Sequence, residues 1–581
     1  MSREIIVLKF GSSVLQTPSD VPKAVHEIYR WYRDGHRVVV IVSAIGQGTN
    51  WLLNQACEFS ASPDPHALAE LLATGERASA ALFGIALDRA GVPARVVDPR
   101  EIRLTALGQV LNSEPVTVLS SKLEELLSAA PVLVVPGFFG HDAEGRLHLL
   151  GRGGSDLSAV FLAGALGARR CRLIKDVDGV YDRDPTISSE TPAQRLTTLD
   201  YRTAVEKAAP LIQPKAVRFL ERQSASAEVA GLASSYESII GRGGNTIIES
   251  DVRPRTSVLL LGFGTVGFGV YRRLRALPQH FQVIGALCLD PAKHEAEGVP
   301  QELLHGPQSR ISLLDPDVVV DALPGVEVSR AQVRYWLDRG VSVVSANKRL
   351  VAEDGQEFAI IAEQSGARLR YSAAVGGSAP MIEAIRAEAA RGEIRSIAGV
   401  LNGTCNYVLD RCAEGLSLAE AIAEAQAKGF AEADPAEDLS GADAGRKLRI
   451  LCRHAFGSEL TALDLQELSA TSLAQALRDK RPGQFLRIVA RSRQVSTGLV
   501  GEVRLTAVDP DDPLASVHGE WNRLVVTRAG GSHAVVSGRG AGRWPTTEAV
   551  IADLLEWRHR QRNTAALISN VAAESLRLGD R

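Results

Sequence analysis

The chain has 581 residues, enough for roughly three to five domains that each bury a core of their own. Its 65 basic and 68 acidic residues give a formal net charge of -3 and are spread along the chain, which excludes a strongly charged surface for nucleic acid or an acidic membrane. The six cysteines show neither CxxC nor zinc-type spacing, as is usual in a reducing compartment. We therefore expect a cytoplasmic enzyme that acts on small molecules, with no nucleic-acid or membrane partner.

Strand-like apolar runs alternate with amphipathic stretches from the N-terminus onward. The predicted strands of this part span residues 5–10, 38–42, 132–135 and 171–174. Such alternation is typical of βαβ units on a mainly parallel sheet. It predicts an α/β domain over residues 1–240.

Short glycine-rich and polar motifs follow these predicted strands. Lys9 ends the first strand before a turn with Gly11 and Ser12, where its ammonium can neutralise a transferring phosphate. The sequence GRGGSD at 151–156 opens an apolar helical stretch, an arrangement that holds phosphates at a helix N-terminus. The remaining candidates are Thr49, TGE at 74–76 and DVDGVY at 176–181. Each short motif is also compatible with a plain turn.

Glycine, proline and charged residues replace the apolar periodicity over residues 241–256, which we predict to be a linker. Strand-like runs then recur at 258–261, 283–287, 318–322, 341–345 and 368–371. That series predicts a doubly wound, Rossmann-type nucleotide-binding domain over 257–375.

The pattern becomes mixed after residue 375. Helices are predicted at 418–427 and 441–455, and strands at 485–490 and 524–527. We therefore predict an α+β domain that carries the substrate over 376–537, a region that the resemblance described below implies is also the dimerisation domain. Residues 538–581 are predicted to return to the nucleotide-binding domain.

The sequence GFGTVG lies between a predicted strand and a predicted helix. The residues of this turn predicted to bind a cofactor are Gly262, Gly264, Thr265, Val266 and Gly267. Glycines here allow a tight turn and the approach of the backbone to a pyrophosphate. We predict NAD(P) binding, against the alternative of an ordinary strand-helix turn.

Asp290 follows the last of these glycines by 23 residues, and we predict it at the end of the next strand. A carboxylate at this point accepts hydrogen bonds from ribose hydroxyls and repels a 2′-phosphate. Leu289, and not an arginine, precedes it. We expect NAD to be used at least as well as NADP.

Three charged side chains are candidates for the chemistry of this half. Asn347 and Lys348 follow a predicted strand at the carboxyl edge of the sheet, where a lysine can protonate a carbonyl that accepts hydride. Asp443 and Lys447 are four residues apart on one helix face. The alternatives are a solvated lysine for Lys348 and a surface ion pair for Asp443 and Lys447.

An acidic, proline-containing stretch at 430–438 precedes that helix and includes Glu432 and Asp438. Its carboxylates either favour the N-terminus of the following helix or hold a substrate ammonium. The residues leave both interpretations open.

Residues 256–581 resemble homoserine dehydrogenase. The motifs that carry the resemblance are GFGTVG, SANK (345–348), AVGGSAPMI (374–382), GVLNGTCNYVL (399–409), GFAEADPAEDLSGADAGRKL (429–448) and GRGAGRWPTTEAVIADL (538–554). The resemblance implies reversible reduction of aspartate 4-semialdehyde to homoserine by a homodimer or higher homo-oligomer. Lys348 and Lys447 would then handle the proton.

The same resemblance implies further binding residues. Glu432 and Asp443 would hold the amino acid, with Asp438 as another substrate contact. Gly540 would contact the cofactor together with Asn347 and Lys348. A monovalent cation, Na⁺ or K⁺, would bind the backbone at Val375 and Gly377.

The N-terminal half resembles the amino-acid kinase family, and GRGGSD with TGERAS (74–79) resembles aspartokinase in particular. The resemblance implies phosphorylation of aspartate by ATP with Mg²⁺, with Lys9 stabilising the transferring phosphoryl group. The residues implied to bind aspartate, line the reaction centre or contact ATP are Thr49, Glu76, Arg152, Ser155, Asp156, Gly11, Ser12, Asp176 and Tyr181.

This half departs from the aspartokinase pattern at several points. KFGSSV at 9–14 is closer to the opening of glutamate 5-kinase, Lys175 stands at a common threonine and Pro210 at a common ATP-contacting lysine. Paired ACT regulatory modules are usual in such aspartokinases, but only about thirty residues separate the kinase-like body from Val258.

Our leading interpretation is a bifunctional aspartokinase and homoserine dehydrogenase that lacks ACT modules between its halves. One alternative is a monofunctional dehydrogenase whose kinase-like half is a structural or ligand-sensing module. A second is a glutamate-5-kinase-like activity, which Glu76 and GRGGSD disfavour.

Overall fold

The computed structural model describes residues 4–185, 187, 193–209, 211–234, 236–248, 255–496 and 498–579, with the backbone alone at 248 and 562–579. Pro210 and residues 249–254 of the predicted linker lie outside the described residues. The chain divides into two compact units, Met1–Arg89 with Pro93–Pro254, and Ala90–Val92 with Arg255–Arg581.

The first unit alternates strands and helices, as its sequence predicts. Its strands are β1 (Ile5–Phe10), β2 (Arg37–Val42), β3 (Ala94–Val96), β4 (Thr105–Gln109), β5 (Asn112–Thr117), β6 (Val132–Pro136), β7 (Phe139–His141), β8 (Leu147–Leu149), β9 (Arg170–Lys175), β10 (Val180–Tyr181), β11 (Arg195–Leu199), β12 (Ala227–Gly231), β13 (Ser238–Ile240) and β14 (Thr246–Ile248). Its helices are α1 (Val21–Arg33), α2 (Gly48–Phe59), α3 (Pro65–Arg89), α4 (Ser120–Ala129), α5 (Gly154–Ala165), α6 (Tyr201–Lys207) and α7 (Pro214–Gln223).

A ten-stranded sheet forms the centre of this unit. Its strand order is β10-β11-β13-β12-β9-β1-β2-β6-β3, and β14 pairs with β11. The strands from β12 to β3 in that order are parallel to their neighbours, which confirms the predicted parallel sheet. β1 is buried along its whole length because both faces of a parallel sheet are covered. The carboxyl ends of β9, β1, β2 and β6 therefore meet at one edge.

The second unit contains two six-stranded sheets. Its strands are β15 (Thr256–Leu261), β16 (Phe281–Leu287), β17 (Leu304–His305), β18 (Val318–Asp321), β19 (Ser342–Ser345), β20 (Leu369–Arg370), β21 (Ile394–Val400), β22 (Ala462–Leu465), β23 (Phe485–Val495), β24 (Gly498–Val508), β25 (Trp521–Arg528) and β26 (His533–Arg539). Its helices are α8 (Thr265–Arg275), α9 (Pro291–Ala296), α10 (Val326–Leu337), α11 (Lys348–Ser365), α12 (Ser372–Gly376), α13 (Met381–Ala389), α14 (Gly403–Ala413), α15 (Leu418–Ala427), α16 (Ala436–Leu439), α17 (Ala442–Phe456), α18 (Ala470–Asp479) and α19 (Arg543–Gly579).

The first sheet of this unit is parallel throughout, in the order β17-β16-β15-β18-β19-β20. Counted from β15 along the chain, this is the order 3-2-1-4-5-6 of a Rossmann sheet. The predicted doubly wound domain is confirmed. Its strand order reverses between β15 and β18, where such sheets bind their ligands.

The second sheet is mixed, in the order β22-β24-β23-β21-β25-β26. Helices α13 and α17 pack on it and share an apolar core that includes Ile385, Leu448 and Ile488. Helix α19 returns to pack against α8 and β19 of the parallel sheet. In the part of the chain that the structure describes, no helix is both long and apolar enough to cross a membrane.

Candidate active sites

A buried carboxylate between two lysines marks the candidate site of the second unit. Asp443, in the first turn of α17, has one oxygen 3.0 Å from Lys447 Nζ, and its other oxygen accepts a hydrogen bond from Lys348 Nζ. Lys447 is 3% exposed, whereas the Lys348 side chain at the start of α11 is 32% exposed. The fold thus brings Lys348, from the start of α11, to the pair of Asp443 and Lys447 that the sequence predicted on one helix face.

The two lysines determine the charge of this cluster. Burial alone would raise the pKa of Asp443, but the ammonium groups of Lys447 and Lys348 hold it well below its usual range. Burial lowers the pKa of Lys447, and Asp443 opposes that shift. The carboxylate is therefore ionised at neutral pH, and Lys447 releases its proton more readily than a solvated lysine does.

Asn402, which the sequence did not single out, links the cluster to the acidic stretch. Its Nδ2 donates to Asp438 at 2.7 Å and to Asp443 at 2.9 Å, and its Oδ1 caps α14 by accepting from Cys405 N. The available signal was an asparagine directly before α14, two residues after the end of β21. Asn402 fixes the half-buried Asp438 beside Asp443.

Glu432 occupies a different environment. It is exposed, on the segment between α15 and α16. Within the described ranges, its carboxylate makes no hydrogen bond or ion pair with the lysine cluster. Of Glu432 and Asp438, only Asp438 is linked to the cluster, through the amide of Asn402.

The glycine turn after β15 has the conformation that its sequence predicts. Gly262 has φ +89°, and a Cβ there would lie 2.5 Å from the Ala322 carbonyl oxygen. A Cβ at Gly267 would lie 2.0 Å from the Gly262 carbonyl oxygen, so the turn and helix α8 pack too closely for a side chain. At Gly264, the N-cap of α8, a Cβ would have no atom within 4 Å. Thr265 and Val266 form the first turn of the helix behind this open position.

Asp290 lies beyond the strand and not at its end. β16 ends at Leu287, and Asp290 is the N-cap of α9, where its side chain accepts from Lys293 N at 3.1 Å. Leu289 before it is 86% exposed. The capping hydrogen bond from Lys293 N uses only Oδ1 of this exposed carboxylate.

Asn347 and Asp321 fix the loops at the carboxyl edge of the sheet. Asn347 caps α11, and its Nδ2 donates to the carbonyl oxygens of Leu323 and Gly325, each at 3.2 Å. Asp321, fully buried at the end of β18, accepts from the hydroxyls of Ser329 and Ser345, each at 2.7 Å. Burial raises the pKa of Asp321. The sequence had placed this acid within an apolar run.

Close packing explains why glycine is required at Gly377, predicted near a monovalent cation, and at Gly540, predicted near the cofactor. Val375 is buried in α12, and Gly377 after it has φ +56°, with the Arg539 carbonyl oxygen 2.4 Å from where a Cβ would lie. A Cβ at Gly540 would lie 1.9 Å from Asn522 Nδ2. That amide donates to the Leu401 carbonyl oxygen, which also accepts from Lys447 Nζ at 2.6 Å.

A second carboxylate between two lysines lies in the first unit. Asp156, in the first turn of α5, has an oxygen 2.7 Å from Lys9 Nζ, and Lys175 Nζ lies 3.2 Å from its other oxygen. The three residues are 3 to 6% exposed. Burial opposes the ionisation of Asp156, but Lys175 and Lys9 lower its pKa below the usual value. Burial lowers the pKa of Lys175 to about 8, although Asp156 raises it.

The backbone around this cluster leaves room for its side chains. A Cβ at Gly11 would come within 2.7 Å of Lys9 Nζ. Gly153, the N-cap of α5, adopts a left-handed conformation, and Ser155 is buried against Gly137. The N-terminus of α5 therefore points to the same strand edge as Lys9.

Glu76 presents a buried carboxylate oxygen without a partner. Its Oε1 accepts from Ala44 N at 3.1 Å, whereas its buried Oε2 has no hydrogen-bond partner among the described residues. Burial raises the pKa of Glu76 to about 7. A ligand that donates a hydrogen bond would satisfy this oxygen.

The other proposed residues of this unit lie nearer the surface. Ser12, Arg152 and Asp176 are exposed, and Thr49 and Tyr181 are half-buried, in α2 and β10. The sequence did not single out Lys215, in α7. Its Nζ donates to the carbonyl oxygens of Ser113 and Leu150 and so holds the start of the GRGGSD segment.

Family models match both units. Residues 4–231 match the amino acid kinase family, residues 262–372 the homoserine dehydrogenase NAD binding domain, and residues 380–555 homoserine dehydrogenase. In the described residues, no group of three or more His, Cys, Asp and Glu side chains is arranged to hold a metal ion.

Curated homoserine dehydrogenases match the C-terminal half of the chain. Homoserine dehydrogenase of Neisseria gonorrhoeae is 33% identical over 309 residues, covering 51% of this chain and 71% of that protein. The enzyme of Corynebacterium glutamicum is 33% identical over 314 residues, with the same two shares. A solved homoserine dehydrogenase from Thiobacillus denitrificans is 30% identical with a TM-score of 0.49, covering 54% of this chain and 74% of that one.

Proposed function

Because the chain belongs to the homoserine dehydrogenase family and also carries an amino acid kinase domain, we propose that it catalyses two reactions of aspartate metabolism. The second unit interconverts aspartate 4-semialdehyde and homoserine with NAD(P). The first unit phosphorylates aspartate with ATP and Mg²⁺. The chain acts in the cytoplasm as a homodimer or higher homo-oligomer, in the synthesis of threonine and methionine.

The observation that carries the dehydrogenase proposal is the Lys348–Asp443–Lys447 cluster. Addition of hydride to the aldehyde carbon leaves an alkoxide, which a positioned ammonium stabilises and protonates. The partly exposed side chain of Lys348 is accessible to the substrate. The buried ammonium of Lys447 donates a proton or a hydrogen bond from the interior side of the site. The ionised Asp443 orients both ammonium groups, and Asp438, held by Asn402, receives the substrate ammonium.

The residues of the parallel sheet fit a dinucleotide. The position beside Gly264 is open at the N-terminus of α8, where backbone N–H groups and the helix dipole favour a pyrophosphate. When bound, NAD(P) supplies or accepts the hydride. Asn347 and Lys348 lie at the carboxyl edge of β19, on the side where the sheet order reverses.

We expect NAD to support catalysis at least as well as NADP. The second oxygen of Asp290 can accept from the ribose hydroxyls and repels a 2′-phosphate, and exposed Leu289 adds no compensating charge. Lys293, in α9, is the nearby cation that could offset this repulsion. The measurement is kcat/KM for both cofactors with one preparation. A value for NADP tenfold above that for NAD would show this inference wrong.

The kinase proposal is supported by two features of the first unit. The cluster of Lys9, Asp156 and Lys175 lies at the N-terminus of α5, a place suited to a transferring phosphoryl group. The unpartnered Oε2 of Glu76 is suited to the substrate ammonium. The exposed Arg152 can then reach a substrate carboxylate from the GRGGSD segment.

One set of assays tests both activities. The purified chain is given ATP, Mg²⁺ and aspartate or glutamate, and acyl phosphate is trapped with hydroxylamine. In parallel, NADH or NADPH oxidation is followed with aspartate 4-semialdehyde. Formation of aspartyl phosphate supports two activities. Dehydrogenase activity without acyl phosphate favours a kinase-like half that has a structural or ligand-sensing role. A preference for glutamate favours a glutamate-5-kinase-like activity.

We expect threonine to have little effect on the dehydrogenase. The family matches leave only residues 232–261 between the two halves, too few for paired regulatory modules there, and an effector acts only by binding one state better than another. Threonine and lysine should be titrated against both activities at saturating substrate. Cooperative inhibition by sub-millimolar threonine that persists at saturating substrate would contradict this expectation and reveal a regulatory site.

A further inference from the structure

The cluster around Asp156 holds two ammonium groups on one carboxylate. Lys9 Nζ lies 2.7 Å from one oxygen and Lys175 Nζ 3.2 Å from the other, and each lysine is 6% exposed. Among the described residues, Asp156 is the one acid within ion-pair distance of either lysine. A single carboxylate balances a single lysine, so one buried positive charge is in excess.

The nearby acids do not cancel this excess. Glu76, on α3, interacts with Lys9, but burial raises its pKa to about 7, so that a substantial fraction is neutral at pH 7. Asp176, next to Lys175, is exposed, and solvent screens its charge. An uncompensated buried charge is costly, and the site is therefore arranged for an additional anion.

The two lysines reach the same point from adjacent strands. β1 and β9 pair in parallel with Lys9 opposite Leu173, and Lys175 is the last residue of β9. Asp156 reaches them from the first turn of α5, whose N-terminus adds the positive end of the helix dipole. Three sources of positive potential thus converge at the carboxyl edge of the sheet.

We propose that Lys175 is a catalytic residue of the kinase reaction, contacting the transferring phosphoryl group together with Lys9 while Asp156 holds the two ammonium groups apart. This inference rests on the proposed kinase function. A carboxylate oxygen of the acceptor forms a bond to the γ-phosphorus, and the bond from that phosphorus to the β–γ bridging oxygen breaks, releasing ADP. The acceptor is already ionised, so no proton is removed and Asp156 is not a base.

The simpler alternative makes Lys175 a counter-ion for Asp156 alone. Lys9 already lies closer to that carboxylate than Lys175 does, so Asp156 stays paired when Lys175 is removed. A counter-ion role predicts a small effect on phosphoryl transfer. A contact with the transferring group predicts a large loss in kcat, because its charge is stabilised in the transition state.

The test compares Lys175→Met, Lys175→Arg and the surface control Lys122→Met, whose lysine forms an exposed pair with Glu125. We expect Lys175→Met to lower kcat for acyl phosphate formation about 100-fold, with KM for ATP changed less than about threefold. Lys175→Arg should recover part of the rate, and Lys122→Met should match wild type. Dehydrogenase activity of the same preparations reports the amount of active chain, and binding of ADP reports on the folding of the first unit.

A binding measurement separates the outcomes. ADP with Mg²⁺ and aluminium fluoride, which mimics the transferring group, should bind Lys175→Met more weakly than wild type, while ADP alone binds both equally. Kinase turnover in Lys175→Met within threefold of wild type overturns the catalytic role of Lys175 and leaves the proposed kinase function standing. A wild-type chain that forms no acyl phosphate from aspartate or glutamate overturns the kinase function and this assignment with it.

Discussion

Replacing Lys348 or Lys447 by alanine should lower dehydrogenase turnover by about 100-fold or more, because the alkoxide then loses the ammonium that stabilises and protonates it. The two variants differ in what they leave behind. Lys348→Ala keeps the 3.0 Å pair of Asp443 and Lys447, whereas Lys447→Ala empties a buried position. The measurement is steady-state kcat with saturating semialdehyde and cofactor.

The lysine variants need controls for charge and for folding. Lys428→Ala removes an exposed lysine that pairs with Glu424 on α15, and such surface pairs contribute little to stability. Lys447→Met keeps much of the side-chain volume of Lys447 without its charge. Kinase activity of each preparation is measured alongside. Rates close to wild type in both Lys348→Ala and Lys447→Ala would end the assignment of these residues to proton transfer.

The sequence predicts those elements whose signal is local. β1 was predicted at residues 5–10 and α15 at 418–427, and both have these bounds in the structure. α15 begins with the capping box of Ser417 and Glu420, a signal contained in four residues. The recurring strand-like runs after residue 257 predicted the doubly wound domain, but its strand order comes from the structure.

The residues that the sequence missed depend on contacts between distant segments. Lys175 meets Lys9 only because β9 pairs with β1, and periodicity does not give the order of strands in a sheet. Asp321 was counted in an apolar run because its partners, Ser329 and Ser345, lie on other elements. The side-chain amide of Asn402 donates hydrogen bonds to Asp438 and Asp443, which lie on helices further along the chain.

Replacing Asp443 by asparagine should reduce dehydrogenase turnover and shift its alkaline limit to lower pH. The amide keeps the size of the side chain but leaves the ammonium groups of Lys348 and Lys447 without their carboxylate. Burial lowers the pKa of Lys447 and Asp443 raises it, so the substitution lowers that pKa further. The protonated lysine that reduction requires is then lost at a lower pH than in wild type. The measurement is the pH dependence of kcat for semialdehyde reduction.

The same substitution should destabilise the second unit, since loss of one partner of a buried ion pair costs about 3 to 5 kcal/mol. Folded Lys447 binds a proton less readily in the variant than in wild type, whereas the unfolded chains bind it alike, so the stability of the variant relative to wild type rises with pH. Calorimetry should therefore show a deficit in the unfolding temperature that is largest near pH 6 and smaller near pH 10. Asp479→Asn, at an exposed position on α18, is the matched control. A pH profile and an unfolding temperature equal to those of wild type would mean that Asp443 does not hold the charge of the two lysines.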